Sequence, residues 1–154
     1  MPEFSHIDGD NVRMVEVAGK PDVLREATAS GRIHLRPETL QAIREGAVVK
    51  GNVLATAQVA AILAVKETPR IIPLCHPIPI GGITVEFTEA EGSIGVSVRV
   101  VSTGKTGVEM EALTGVSIAL LTIWDMVKSA EKDSHGQYPH TRIEGIHVVG
   151  KRKG

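Results

Sequence analysis

Cysteine and aromatic residues are scarce in this sequence, and their scarcity excludes several classes of site. Cys75 is the one cysteine among 154 residues, so the chain can form neither an internal disulfide nor a metal site built from several cysteines. Aromatic residues make up 3% of the chain, which argues against a surface that stacks the bases of a single-stranded nucleic acid. We therefore expect no metal site and no nucleic-acid partner.

Long apolar runs and an excess of either charge are also missing. Every apolar stretch is interrupted by a charge before it reaches the length of a membrane-spanning helix, about 18 residues. Residues 1–6 lack the apolar core of a signal sequence. The net charge of −1 gives no general attraction to nucleic acid or to an anionic membrane. We expect a cytoplasmic protein with no membrane partner.

The composition that remains suits one globular domain. Hydrophobic residues make up 42% of the chain and charged residues 23%, which is ordinary for a soluble protein. A chain of 154 residues is long enough to bury one core. We predict a mobile N-terminal tail over residues 1–12, a single catalytic α+β domain over residues 13–150, and a basic C-terminal tail over residues 151–154.

The spacing of apolar residues separates predicted strands from predicted helices. The predicted strands cover residues 14–17, 23–35, 83–89, 94–101 and 143–149. The predicted helices cover residues 38–44, 53–66 and 108–128, and we expect Pro69 to end the second of them. Neighbouring strands with helices between them favour an α+β fold, with the helices on one face of a largely antiparallel sheet.

The longest predicted helix, residues 108–128, carries few charges on an otherwise apolar surface. Glu109 and Glu111 lie at its start, where the helix dipole favours anions. Asp125 and Lys128 lie near its end, three residues apart and therefore on one face. From the helix alone, ordinary capping and an ordinary surface ion pair are the preferred explanation of these charges.

Three further residues, His76, Lys50 and Arg25, each have a functional and a structural explanation. Cys75 and His76 lie in a loop stiffened by prolines, where His76 either exchanges a proton or holds a phosphate, or simply bonds to backbone. Lys50 follows an apolar run, so it is either half-buried with a pKa lowered by desolvation or a turn lysine in solvent. Arg25 either pairs with a phosphate or lines the outer face of the sheet.

Four stretches together make the chain similar to a known family. They are Lys50–Leu54 (KGNVL), Ile72–Pro77 (IPLCHP), Lys105–Thr114 (KTGVEMEALT) and Thr122–Lys128 (TIWDMVK). Across residues 5–150 the sequence resembles the molybdenum cofactor biosynthesis protein C (MoaC) family. The resemblance implies a ferredoxin-like α+β fold and a homohexamer built as a trimer of dimers. It also implies conversion of 3′,8-cyclo-7,8-dihydro-GTP to cyclic pyranopterin monophosphate with release of pyrophosphate, and no cofactor.

The resemblance also implies roles for individual residues. By this match the catalytic residues are Lys50, Asp125 and Lys128. The substrate-binding residues are Leu74, Cys75, His76, Glu109, Met110, Glu111 and Arg25. The chain departs from the family at its end, where members often carry a glycine-rich segment with a lysine and this sequence has the short basic run Lys151–Lys153.

The residue types suit the implied reaction. Lysine, arginine and histidine side chains would hold the negative charge of a triphosphate, and a carboxylate beside an ammonium group suits acid–base chemistry. The alternative is a non-catalytic nucleotide-binding assembly protein, for which Asp125 would be an unneeded source of repulsion. Because Glu111 and Asp125 are fourteen positions apart, a straight helix separates them by roughly 21 Å. Either the helix folds back, or two chains share each site, and we favour the shared site.

Overall fold

The structure is a computed structural model that describes residues 2–154. Its core is a four-stranded sheet of β3 (Val23–His34), β4 (Ile80–Ala90), β5 (Ser93–Gly104) and β6 (Arg142–Lys153). The spatial order of these strands is β4-β5-β3-β6, and every neighbouring pair is antiparallel. The helices are α1 (Pro37–Glu45), α2 (Val53–Ile71) and α3 (Glu109–Glu131). The α+β prediction is confirmed. Apart from α1, which lies between β3 and α2, the order β3-α2-β4-β5-α3-β6 is the βαββαβ pattern of ferredoxin-like folds.

Helices α2 and α3 cover one face of the sheet. Every second residue of the two central strands faces them, and Ala27, Ala29, Val98 and Val100 are fully buried there. The small residues predicted on α2 let the two helices approach closely. A Cβ added at Gly115 of α3 would lie 3.0 Å from Val65 of α2, so a side chain there would push the two helices or Val65 aside by a few tenths of an ångström.

The helix boundaries follow from local capping. Pro37 occupies the first position of α1, where its missing N–H costs nothing. Gly46 ends α1 with a φ of 67°, a conformation that favours glycine. The side chain of Asn52 accepts a hydrogen bond of 2.9 Å from the backbone N–H of Ala55 and so caps α2. These two caps fix the ends of the loop that carries Lys50.

Several predicted boundaries were wrong. Pro69 does not end α2, which continues to Ile71, because a proline in the last turn removes only one hydrogen bond. The predicted strand at residues 14–17 is irregular chain. Two short strands, β1 (Ile7–Asp8) and β2 (Asn11–Val12), pair with each other inside the predicted N-terminal tail, whose first residue lies outside the described chain.

The C-terminal boundary was also wrong. The predicted final strand ended at Val149 and left residues 151–154 as a tail, but β6 continues through Lys153. Its last residues pair with the start of β3, with Glu26 opposite Arg152. The side chains of these two residues form an ion pair of 2.6 Å. Backbone pairing and this ion pair together extend the strand.

Helix α3 has the length and composition of a membrane span, although charged residues had argued against one. Its packing is that of a core helix, because Val116, Ala119, Leu120 and Ile123 are fully buried against α2 and the sheet. A core helix of a soluble protein passes the same test of length and composition.

Candidate active site

The first cluster of predicted site residues lies near the C-terminal end of α3. Asp125 holds one lysine on each carboxylate oxygen, with Lys50 Nζ at 3.1 Å from Oδ2 and Lys128 Nζ at 2.9 Å from Oδ1. Lys50 also donates a hydrogen bond of 2.9 Å to the backbone carbonyl of Asp125. Residues 75 positions apart in sequence are therefore brought together, and all three predicted catalytic residues are in contact.

Local structure explains why Lys50 reaches α3. Lys50 lies in the loop between α1 and α2, just before Gly51, whose φ of 115° favours glycine. The loop is held at one end by the Gly46 cap of α1 and at the other by the Asn52 cap of α2. Asp125 and Lys128 are three residues apart on α3, which places them on one face of that helix.

Charge pairing favours the ionised forms of Asp125 and Lys128. The hydrogen bond from Lys128, followed by that from Lys50, holds the pKa of Asp125 below its ordinary value. The hydrogen bond and charge of Asp125 raise the pKa of Lys128, and Tyr138 adds a smaller effect in the same direction. The three side chains are 43–59% exposed, so a ligand could reach them.

Tyr138 is a residue of this cluster that the sequence did not indicate. Its ring packs edge-on against Trp124, with ring centroids 5.0 Å apart. The polar loop that carries Tyr138 offered no pattern that would have pointed to a position beside Lys128. The loop is ordered by Asp133, whose carboxylate accepts hydrogen bonds from the backbone N–H groups of His135 and Gln137.

The second cluster lies at the N-terminal end of α3, around a cavity of about 260 Å³. Six predicted substrate-binding residues line it: Leu74, Cys75, His76, Glu109, Met110 and Glu111. The first three come from the proline-rich loop after α2, and the last three from the first turn of α3. Residues 5–20 close another side of the cavity, although the sequence placed no site residue there.

Burial favours the protonated forms of two groups that line this cavity. Glu111 is 2% exposed, and burial, followed by the nearby charge of Glu109, raises the pKa of its carboxyl group. Burial, followed by the charge of Glu111, also raises the pKa of the Cys75 thiol. A thiol with a raised pKa is a poor nucleophile, so Cys75 suits contact with a ligand better than covalent catalysis.

Arg25 lies on a neighbouring basic cavity of about 450 Å³. Thr106, Gly107 and Glu109 line both cavities, so the two are contiguous. Arg25 donates a hydrogen bond of 3.3 Å to the carbonyl of Lys105, while its Nε is buried and finds no hydrogen-bond partner among residues 2–154. The guanidinium group of Arg25, at the edge of this cavity, is suited to bind an anion.

The C-terminal strand adds Lys151 to this region. Its Nζ lies 3.2 Å from Oε1 of Glu109, and Arg152 and Lys153 line the same basic cavity. The ten predicted site residues therefore fall into two groups. Seven lie around the two cavities at the start of α3, and three lie together near its end.

The structure does not bring these two groups together within one chain. Helix α3 is continuous from Glu109 to Glu131, so the predicted start of the helix is close to correct and the helix does not fold back. Fourteen positions of α helix separate Glu111 from Asp125 by roughly 21 Å. In residues 2–154, no group of three histidine, cysteine or acidic side chains is placed to hold a metal ion.

Comparisons with known proteins identify close relatives. The sequence profile of the MoaC family matches residues 14–154. A protein of Methanoregula boonei, named probable cyclic pyranopterin monophosphate synthase, is 71% identical over 154 residues that cover 100% of this chain and 99% of the relative. Proteins with the same name from Methanosphaerula palustris and Thermococcus onnurineus are 66% and 61% identical, over 100% and 99% of this chain and 100% and 98% of the relatives.

Proposed function

This chain belongs to the MoaC family, and we propose that it is an enzyme of molybdenum cofactor biosynthesis that forms cyclic pyranopterin monophosphate. Two relatives that match this chain over 99% and 100% of their own length are named probable cyclic pyranopterin monophosphate synthase. The single observation that carries the proposal is the contact of Asp125 with both Lys50 and Lys128. A carboxylate fixed between two ammonium groups is suited to move protons beside a polyphosphate.

The substrate of the proposed reaction is 3′,8-cyclo-7,8-dihydro-GTP, and the products are cyclic pyranopterin monophosphate and pyrophosphate. A substrate hydroxyl oxygen bonds to the α-phosphorus, and its proton passes to a base. The bond from the α-phosphorus to the bridging oxygen breaks, and pyrophosphate leaves with the electron pair. Lys50 and Lys128 stabilise the negative charge that moves onto the leaving group.

The cavity at the other end of α3 suits the heterocyclic part of the substrate. Leu74 and Met110 give it apolar contacts. A Glu111 carboxyl group with a raised pKa can donate a proton or a hydrogen bond during ring rearrangement. The adjoining basic cavity with Arg25 suits the phosphates.

One substrate can bridge the two clusters only if they come from different chains. We infer that two subunits lie with their α3 helices side by side and antiparallel, so that Glu111 of one chain faces Asp125 of the other. The outer faces of the helices support this arrangement, because Leu63 and Leu121 are more than half exposed in the single chain. The proposed assembly is a hexamer of three such dimers in the cytoplasm.

A non-catalytic nucleotide-binding protein is the second candidate. The basic residues would serve it equally well, but a carboxylate between the two lysines lowers the attraction for a triphosphate. Incubation of the protein with 3′,8-cyclo-7,8-dihydro-GTP separates the two functions. An enzyme releases pyrophosphate and the pterin product in equal amounts. Saturable binding without either product would reject catalysis.

A further inference from the structure

Residues 5–20 form one side of the cavity that holds Cys75, His76 and Glu111. The contributions from this segment are Ser5, His6, Val15, Val17 and Lys20. Val15 and Val17 are half-buried although they belong to no strand. Both are half-buried because they line the cavity. The alternating pattern at residues 14–17 therefore places apolar side chains at the cavity and does not mark a strand of the sheet.

The segment is attached to the rest of the chain at its base. Lys105 donates a hydrogen bond of 2.9 Å to the carbonyl of Lys20 and lies 3.6 Å from the carboxylate of Asp22. Lys105 directly precedes Thr106 and Gly107, which line the cavity. The far end of the segment is a hairpin in which β1 and β2 pair with each other, with Ile7 opposite Val12. The base is therefore fixed beside the cavity, while the hairpin carries His6 to it.

The hairpin also fixes the orientation of the His6 ring. The backbone N–H of Arg13 donates a hydrogen bond of 2.8 Å to the carbonyl of His6, and Nδ1 of His6 lies 3.1 Å from the carbonyl of Arg13. A carbonyl oxygen can only accept a hydrogen bond, so Nδ1 must carry the proton. In the neutral ring, Nε2 then has a free lone pair.

We propose that Nε2 of His6 accepts a hydrogen bond from an N–H or O–H group of the heterocyclic part of the substrate. His6 is thus a substrate-binding residue, and residues 5–20 are a wall of the active site. The inference rests on the proposed function, since it names the same substrate and the same cavity. The family profile begins at residue 14, so the match itself assigns nothing to His6.

Two substitutions separate substrate contact from a structural role. In His6→Asn the amide takes the place of Nδ1, so the bond to Arg13 is kept and the contact of Nε2 is lost. In His6→Gln the amide reaches the place of Nε2. We expect His6→Asn to raise KM about tenfold and His6→Gln to stay within about threefold of the wild type, as one hydrogen bond allows. Both variants should keep the wild-type Tm.

The opposite pattern overturns the proposal. If His6→Asn keeps the wild-type KM, the ring serves only to close the hairpin. If His6→Gln raises KM as much as His6→Asn does, the hydrogen bond from the substrate is absent. A wild-type protein that forms no product at all rejects the proposed function together with this inference. Activity in the wild type with an unchanged His6→Asn variant rejects the inference alone.

The single native cysteine gives an independent test of where the segment lies. Cys75 and Ser5 line the same cavity, so a short bis-maleimide reagent should join Cys75 to the thiol of a Ser5→Cys variant within one chain. Ser134→Cys is the matched control, because Ser134 is exposed in the loop after α3. We expect an intrachain crosslink, seen by mass, in the first variant and none in the second. Absence of the crosslink in Ser5→Cys, at a pH at which a monofunctional maleimide modifies Cys75 in the wild type, overturns the placement of the segment.

Discussion

The two ends of α3 hold carboxyl groups in opposite environments. Glu111, in the first turn, is 2% exposed and lies beside another carboxylate, Glu109. The side chain of Asp125, near the last turn, is 59% exposed and lies between two lysines. The pKa is raised for Glu111 and lowered for Asp125. One helix therefore presents a carboxyl group whose protonated form is favoured and another whose ionised form is favoured.

The difference shows that environment rather than residue type assigns the chemical role. Burial raises the pKa of Glu111 because the ionised form loses its hydration. Hydrogen bonds from Lys128 and Lys50 lower that of Asp125 because they favour the ionised form. Two carboxyl groups whose pKa values are shifted apart in this way suit the acid and the base role of one site. Each substitution proposed for α3 below alters one end of the helix and leaves the other end intact.

The largest effect is expected from loss of a lysine in the exposed cluster. Lys128→Ala removes a charge that faces the polyphosphate and leaves Asp125 with one partner. We expect kcat to fall by about 100-fold or more, with little change in Tm because exposed ion pairs stabilise a fold weakly. Steady-state kinetics and a thermal melt measure the two quantities.

Lys132→Ala is the matched control, because Lys132 is exposed and lies one turn further along the chain. Its kcat should equal that of the wild type. If Lys128→Ala retains most of its activity, Lys128 does not belong to the active site. A variant that loses activity only together with its Tm would make the role of Lys128 structural.

Mixing two inactive variants tests whether the two ends of α3 act in one site. Glu111→Ala damages the buried end and Asp125→Ala damages the exposed end. After random subunit exchange, a site shared across a two-fold dimer should recover about a quarter of the wild-type activity, since half of the dimers carry one intact site. The assay is pyrophosphate release from the mixture.

Exchange itself must be verified by native mass spectrometry of isotope-labelled subunits. Each variant measured alone provides the inactive baseline. Mixed dimers without activity would place the whole site in one chain, which the length of α3 makes difficult. They would also reject the antiparallel arrangement of the helices.

The sequence predicted the fold well where short-range patterns set the structure. The alternation in β3 and β5 and the helical spacing in α3 appear in the structure close to the predicted bounds. The end of β6 was missed because Lys151, Arg152 and Lys153 are charged, and only pairing with β3 makes them a strand. Such pairing joins residues more than 120 positions apart and leaves no local signal.

The residues of the candidate site likewise fall into those that the sequence indicated and those that it did not. The contact among Lys50, Asp125 and Lys128 followed from a resemblance, while the sequence alone gave only the pairing of Asp125 with Lys128 at helical spacing. His6 was missed because the segment around it is polar and its role depends on a cavity formed by distant residues. Tyr138 was missed because a single aromatic residue in a loop has no periodicity.

The smallest effects concern stability, and they compare Glu111 with a second buried carboxyl group on α3. Glu131 is fully buried but accepts hydrogen bonds from the backbone N–H of Arg36 and from the hydroxyl groups of Thr39 and Thr141. In Glu131→Gln an amide N–H₂ group faces these donors, which should cost about 1–3 kcal/mol of the free energy of unfolding. For Glu111→Gln we expect a gain in the free energy of unfolding. The substitution removes a carboxyl group, and burial disfavours the ionised form of that group.

The pH dependence gives the sharper measurement for Glu111. Its pKa in the folded chain is raised above the ordinary value of 4.5, so the folded state binds the proton more tightly than the unfolded state, and stability falls as the pH rises through this window. We expect Glu111→Gln to match the wild-type Tm below pH 4.5 and to exceed it by a few degrees at neutral pH. Thermal melts of the wild type and both glutamine variants between pH 4 and pH 8 measure this. A Glu111→Gln variant that is less stable than the wild type at neutral pH would mean that the Glu111 carboxylate is stabilised in the fold, and the contrast between the two ends of α3 would fail.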